Sequence, residues 1–161
     1  MQIIKRSVPP VLVGLFATLL AIGSGGPIDV DFMPGSCPNT LNIDKKGVFH
    51  VAIVGTASFN VNKVTASTVT LNGISPISWS LLDQTSPLGA AEDTCLDFTN
   101  PGPDGHTDLI LKFDTKAVAA TLVGAASGDC IALHLSTNLG ITRDDRVRIL
   151  TAKRPQGGSA A

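Results

Sequence analysis

The sequence predicts an all-β fold, an antiparallel immunoglobulin-like β-sandwich of about seven or eight strands with one short helix. Short segments alternate apolar and polar residues, and clusters of turn residues separate them at short intervals. No alternation of strands with helices, which a parallel sheet would need, is present. With 161 residues, 43% hydrophobic and 16% charged, the chain can build one hydrophobic core and is too apolar to be disordered.

The first 26 residues have the order of a secretory signal. Lys5 and Arg6 precede an uncharged apolar run over residues 11–22, and glycine and serine follow it. This order is typical of a signal peptide, and the run is shorter than the ~20 residues of a membrane span. We therefore expect a signal peptide over 1–26, a sandwich domain over 27–152 and a flexible tail over 153–161. The alternative is an N-terminal anchor that is not cleaved.

The first half of the domain opens with three strand patterns. Residues 28–32 alternate apolar with acidic residues, which predicts one buried and one solvated face. Residues 48–54 form an apolar run rich in β-branched residues, which is typical of a central strand covered on both faces. Residues 59–62 alternate again and predict a further strand.

A hairpin is predicted next. Residues 68–71 alternate and stop at Asn72 and Gly73, a pair that favours a tight hairpin turn. Residues 74–82 are the expected return strand, whose apolar side chains share one face: Ile77, Trp79 and Leu81. A lone aromatic residue on an apolar strand face usually packs in the core, so Trp79 is predicted to be buried.

The second half contains three strands and the helix. Residues 108–113 predict a strand with its leucine and phenylalanine side chains inward, and residues 115–123 predict the short helix, which Gly124 ends. Residues 131–135 and 147–149 alternate and predict the last two strands. Between them, the charged residues 143–146 favour a solvated turn.

The chain has three cysteines, Cys37, Cys95 and Cys130. In an exported protein, one disulfide and one remaining thiol are expected. Spacing alone leaves all three pairings open. No Cys-x-x-Cys motif is present, and scattered cysteines do not favour a zinc site.

Two blocks of the sequence, with shorter segments between them, resemble a family of secreted bacterial β-sandwich domains. The matching blocks are Ile28-Asp-Val-Asp-Phe-Met-Pro-Gly-Ser-Cys-Pro-Asn39 and Gly102-Pro-Asp-Gly-His-Thr-Asp-Leu-Ile-Leu-Lys-Phe-Asp-Thr115. The resemblance implies an extracellular, non-catalytic domain without a known ligand. Because Cys37 and Cys95 stand at positions that this family uses, it also implies that they form the disulfide. Cys130 is then expected to be a small buried hydrophobic residue.

The loop over residues 100–108 is the candidate site. Asn100, Asp104 and Asp108 match positions one, five and nine of a calcium-binding loop, and Asp97 adds a carboxylate from outside that register. Two positions that should supply ligands hold Gly102 and an apolar residue. The alternative is a proline- and glycine-rich turn in which Asp104 and Asp108 bind local backbone amides.

The function expected from these observations is a secreted structural or interaction domain that is not an enzyme. A weak calcium-dependent binding module is the alternative, and calcium is the one cofactor considered. A small hydrolase is a remote third possibility, because no Gly-x-Ser-x-Gly motif or paired carboxylates indicate a reaction. A net charge of −1 gives no indication of nucleic-acid binding. The expected partner is an extracellular protein or polysaccharide.

Overall fold

The computed structural model describes residues 28–87, Cys95 and residues 102–151. The described secondary structure is β1 (Val30–Phe32), β2 (Thr40–Asn42), β3 (Val48–Ile53), 3-10 helices at Val61–Lys63 and Ala66–Thr68, β4 (Thr70–Leu71), β5 (Ser78–Leu82), β6 (Asp108–Asp114), α1 (Thr115–Ala120), β7 (Cys130–Ser136) and β8 (Thr142–Leu150). The predicted all-β sandwich is confirmed. The predicted signal over 1–26 and tail over 153–161 lie outside the described residues.

The strands form two four-stranded sheets. The first has the order β1-β3-β6-β5 and the second the order β2-β8-β7-β4. Pairing is antiparallel throughout the described strands except between β2 and β8, where Thr40 lies opposite Arg148 in a parallel arrangement. The short strand β2 was not predicted, because three residues with one buried leucine carry too little alternation to be recognised.

The core lies between the sheets and takes side chains from both. In the first sheet Val51 lies opposite Leu111, and in the second Ile131 lies opposite Val147. The largest fully buried side chains are Phe32, Phe49, Phe113, Leu41, Ile53, Leu71, Leu111, Leu133, Leu135 and Ile149. Phe32 and Phe49 meet edge to face with ring centroids 5.9 Å apart, an arrangement that aromatic pairs prefer.

The predicted helix is present but short. The Asp114 carboxylate accepts a hydrogen bond from the Ala117 amide at 2.8 Å and caps the first turn. The helix ends at Ala120 instead of 123, because the Thr121 and Leu122 amides bond to carbonyls only three residues back. This tightening of the last turn is a common way to satisfy the end of a helix.

Residues 59–62 do not form the predicted strand. They enter the 3-10 helix Val61–Lys63, because the Asn60 side chain accepts a hydrogen bond from the Asn62 amide at 2.9 Å. Asparagine side chains compete in this way with the backbone pairing of a strand. Val61 is still buried, as the alternation indicated.

The hairpin turn at Asn72 and Gly73 is confirmed. Both residues have positive φ, 48° and 82°, and Leu71 and Ile74 exchange both backbone hydrogen bonds around them. The rest of the predicted hairpin is wrong: residues 74–82 do not return along β4 beyond this one bridge, because the chain crosses to the other sheet, where β5 pairs with β6.

Trp79 is half exposed, so the prediction of a core position is wrong. The predicted face is the correct one: Trp79 lies opposite the fully buried Leu111, and directly opposed residues of an antiparallel pair share a face. Burial fails because β5 is the last strand of its sheet and packs on β6, at the margin of the area that the second sheet covers.

Residues 143–146 belong to β8 and do not form the predicted solvated turn. The Asp145 carboxylate accepts a hydrogen bond from the Phe32 amide at 3.2 Å, and the Arg143 Nε donates to the Ile28 carbonyl at 2.7 Å. These bonds join β8 to the segment around β1. Asp31 of β1 is buried, against the predicted solvated acidic face, and its carboxylate accepts from the Thr85 hydroxyl at 2.8 Å.

Gly55 allows two chain segments to approach closely. A Cβ atom at this position would stand 2.0 Å from the Thr107 carbonyl oxygen. We expect Gly55→Ala to lower the free energy of unfolding by about 3 kcal/mol, because backbone atoms must move to admit the methyl group. Urea unfolding followed by circular dichroism measures this loss.

Gly102→Ala is the matched control for that substitution. A Cβ at Gly102 meets no atom within 4 Å, so we expect a change within about 0.5 kcal/mol. Equal stability of the two variants would contradict the close contact.

Candidate functional site

The structure describes two of the four predicted calcium ligands, Asp104 and Asp108. Asn100 and Asp97 lie outside the described residues. Asp104 is exposed and Asp108 is fully buried. The two carboxylates therefore occupy different environments, although only four positions separate them.

Asp108 accepts hydrogen bonds from three backbone amides, which belong to two other segments of the chain. One carboxylate oxygen accepts from the Gly55 amide at 2.9 Å, and the other accepts from the Gln84 and Thr85 amides at 2.9 and 3.0 Å. The carboxylate thus ties the end of β3 and the segment after β5 to the start of β6. This is the structural alternative that the sequence allowed for Asp108.

The turn over residues 104–106 is held by Asp83, which sequence reasoning missed. The Asp83 carboxylate accepts from the Asp104 amide at 3.1 Å and from the Gly105 amide at 2.9 Å. Asp104 in turn accepts from the His106 amide at 2.9 Å. Gly105 has a φ of +91°, which an L side chain rarely adopts.

These contacts leave Asp104 and Asp108 in separate hydrogen-bond networks. Within residues 28–87, 95 and 102–151, no group of three or more His, Cys, Asp or Glu residues is arranged to hold a metal ion. A calcium site in this loop stays a prediction, and it depends on Asn100 and Asp97.

A polar groove lies beside this turn, at the end of the sandwich where β3 stops. It has a volume of about 670 Å³ and lies between the loop 56–63 and the turn 105–107. The lining side chains are Thr56, Ser58, Phe59, Asn60, Asn62, Lys63, His106 and Thr107 with small apolar neighbours. Hydroxyl, amide, imidazole and ammonium groups are present, and no carboxylate is among the described lining residues.

The loop 56–63 is fixed by its own hydrogen bonds. The Thr56 hydroxyl accepts from the Ser58 amide at 3.2 Å and from the Phe59 amide at 2.9 Å. Thr56 and Phe59 also exchange two backbone hydrogen bonds. Because Gly55 is bound to Asp108, this loop and the turn 105–107 begin from one fixed junction. Such preorganisation lowers the entropy cost of binding.

The disulfide joins Cys95 to Cys130, with Cα atoms 5.7 Å apart. The pairing of Cys37 with Cys95 expected from the family resemblance is therefore wrong, and so is the expectation that Cys130 is a buried hydrophobic residue. Cys37 is exposed, whereas Cys95 is buried. Cys130 is the exposed first residue of β7.

The three histidines lie in three different places. His50 lies opposite Lys112 in the first sheet, and burial together with the Lys112 charge lowers the pKa of His50. His134 is exposed on β7 and pairs with the Asp144 carboxylate on β8. His106 lines the groove.

Comparison with known proteins finds no matching family model, no similar curated protein and no similar solved structure. In the part of the chain that the structure describes, no helix is long and apolar enough to cross a membrane.

Proposed function

We propose that this chain is a secreted, non-catalytic interaction domain that binds a polar extracellular ligand in the groove between the loop 56–63 and the turn 105–107. An acidic polysaccharide is the ligand class that the lining favours. The observation that carries the proposal is the groove itself: hydrogen-bonding side chains converge on one fixed end of a rigid sandwich. Binding residues commonly lie on loops that a rigid scaffold positions.

The chemistry of the lining supports an anionic ligand with many hydroxyl groups. Lys63 and His106 are its two basic side chains, and no described lining residue is acidic. The hydroxyl and amide groups of Ser58 and Asn62 can donate to and accept from sugar hydroxyls. Phe59 adds an apolar surface of the kind on which a sugar ring packs.

Export is the second part of the proposal. The Cys95–Cys130 disulfide is compatible with an oxidising compartment outside the cytoplasm. The signal-like order of residues 1–26 supports the same location. The protein used to test the groove is therefore purified from the extracytoplasmic fraction, and its absence from that fraction would contradict the proposal.

The binding test compares an acidic with a neutral polysaccharide, alginate with dextran, by isothermal titration calorimetry. We expect alginate to bind more tightly. Lys63→Glu should weaken alginate binding at least about tenfold, because it replaces attraction by repulsion inside the groove. The variant should remain folded, since Lys63 is exposed.

Lys45→Glu is the matched control, with the same change of charge at an exposed residue that does not line this groove. We expect it to retain most of the affinity for alginate. An equal loss of alginate affinity in both variants would indicate general attraction by net charge. If neither polysaccharide binds, the groove is rejected as a polysaccharide site.

A further inference from the structure

The edge of the first sheet at β5 exposes an unusual amount of apolar surface. The side chains concerned are 50–59% exposed: Ile77, Trp79, Leu81 and Leu82. Trp79 and Leu81 lie opposite the buried Leu111 and Leu109 of β6, so the apolar face of the core continues to the edge without a break. Contiguous exposed apolar surface commonly marks an interaction site.

Among the residues that the structure describes, the β5 edge also lacks the usual protection against pairing. β5 is the last strand in the order β1-β3-β6-β5. β5 itself contains no charged residue and no proline, although Pro76 lies two positions before it and Asp83 directly follows it. Edge strands of soluble proteins are commonly protected by lysine, by inward-pointing charges or by bulges, because their backbone groups can pair with another strand.

The described chain after β5 leads away from this edge. The Gln84 and Thr85 amides bond to Asp108, and the Thr85 hydroxyl donates to Asp31 at 2.8 Å. Asp31 belongs to β1, the strand at the opposite edge of the same sheet. Residues 83–87 therefore do not run along the outer side of β5.

We propose that β5 pairs antiparallel with β5 of a second copy of this chain, about a two-fold axis at Ser80. This register places Trp79 opposite Leu81 of the partner subunit, and Leu81 opposite the partner's Trp79. Aromatic–aliphatic cross-strand pairs are favourable, and a two-fold interface requires this kind of self-complementarity. The two first sheets join into one sheet of eight strands, and their exposed apolar faces become continuous.

The area involved indicates a weak dimer. Half-exposed tryptophan, leucine and isoleucine side chains each supply roughly 100 Å². Leu82 lies opposite Asp108, on the other face of the sheet from Trp79 and Leu81. Three such side chains from each copy, with the paired backbone, bury roughly 800 Å² in total, which is in the range of weak and transient interfaces. Dimerisation is therefore expected at protein concentrations of roughly 0.1–1 mM.

Sedimentation equilibrium from about 10 μM to about 1 mM tests the proposal, in a Cys37→Ser background that excludes linkage through the exposed thiol. Trp79 is the only tryptophan of the chain and reports directly on the interface. We expect dimer formation on concentration, together with a blue shift of tryptophan emission and weaker quenching by iodide. A monomer at every concentration, with quenching unchanged, would overturn the proposal.

Ser80→Lys places two ammonium groups opposite each other at the two-fold axis, while its side chain is exposed in the monomer and does not disturb the fold. We expect the dissociation constant of the dimer to rise at least about tenfold. Val123→Lys is the control, a charge on a side chain that is 95% exposed and lies outside β5. Dimerisation of Ser80→Lys equal to that of the control would show a different interface and overturn the proposal.

Discussion

Asp108→Ala is expected to lower the free energy of unfolding by about 4–6 kcal/mol. The substitution leaves the amides of Gly55, Gln84 and Thr85 without their acceptor. Gly55 and Thr85 are buried, so water cannot replace the carboxylate at low cost. Hydrogen bonds to a charged group contribute about 1.5–3 kcal/mol each, and a domain of this size has about 5–15 kcal/mol in total. Urea unfolding followed by circular dichroism measures the loss.

Asp104→Ala is the matched control in the same segment. The exposed Asp104 carboxylate accepts one bond, from the His106 amide, so we expect a loss below about 1 kcal/mol. Asp108→Asn should fall between the two variants, because its amide retains one acceptor oxygen.

Measuring stability with and without calcium distinguishes a structural role of Asp108 from a role as a metal ligand. If Asp108 holds backbone amides, Asp108→Ala has the same effect with a chelator as with millimolar calcium. A loss of stability that appears only with calcium would contradict the structural role and support the predicted ion site. A loss no larger than that of Asp104→Ala would contradict the three hydrogen bonds to the buried Asp108 carboxylate.

The central strands could be predicted from the sequence because their surroundings are uniform. β3 and β6 have neighbours on both sides, so their apolar side chains are buried as the pattern requires, apart from Val48 at the start of β3. The pattern identifies the face of a side chain, but not what covers that face. At β5 the face of Trp79 was predicted correctly and its exposure was not, because coverage depends on the position of the strand in its sheet.

For charged residues the error was in the other direction: they were predicted to be solvated and instead form contacts within the fold. Asp31, Asp145 and Arg143 were assigned to solvent by their charge, yet they form hydrogen bonds that connect β1 to other parts of the fold. The partners lie 54 to 115 positions away in the sequence. No local pattern contains such a contact, whereas buried polar groups that are hydrogen-bonded stabilise a fold.

The candidate site was predicted in part. The sequence indicated the turn before β6, and that turn forms one wall of the groove. In the opposite wall, residues 56–63, only residues 59–62 were interpreted, and they were predicted to form a strand. The signals that could have identified it are Thr56 and Asn60, whose side chains bond to amides two or three residues ahead.

Removal of the disulfide is the second large effect that we expect. Cys95 and Cys130 are separated by 35 positions, and in the chain-entropy model a loop of that length stabilises the fold by about 4 kcal/mol. The double variant Cys95→Ser, Cys130→Ser should lose this amount, mainly through greater freedom of the unfolded chain. Urea unfolding without reducing agent measures the difference.

Cys37→Ser distinguishes this pairing from the one that the family resemblance implied. Cys37 is exposed and lies outside the Cys95–Cys130 bond, so we expect its substitution to change stability by less than about 1 kcal/mol. A loss of about 4 kcal/mol in Cys37→Ser, with little change in Cys130→Ser, would mean that Cys37 and Cys95 are joined. Spacing could not decide between these outcomes, because a disulfide requires Cα atoms within about 7 Å and that distance is set by the folded topology.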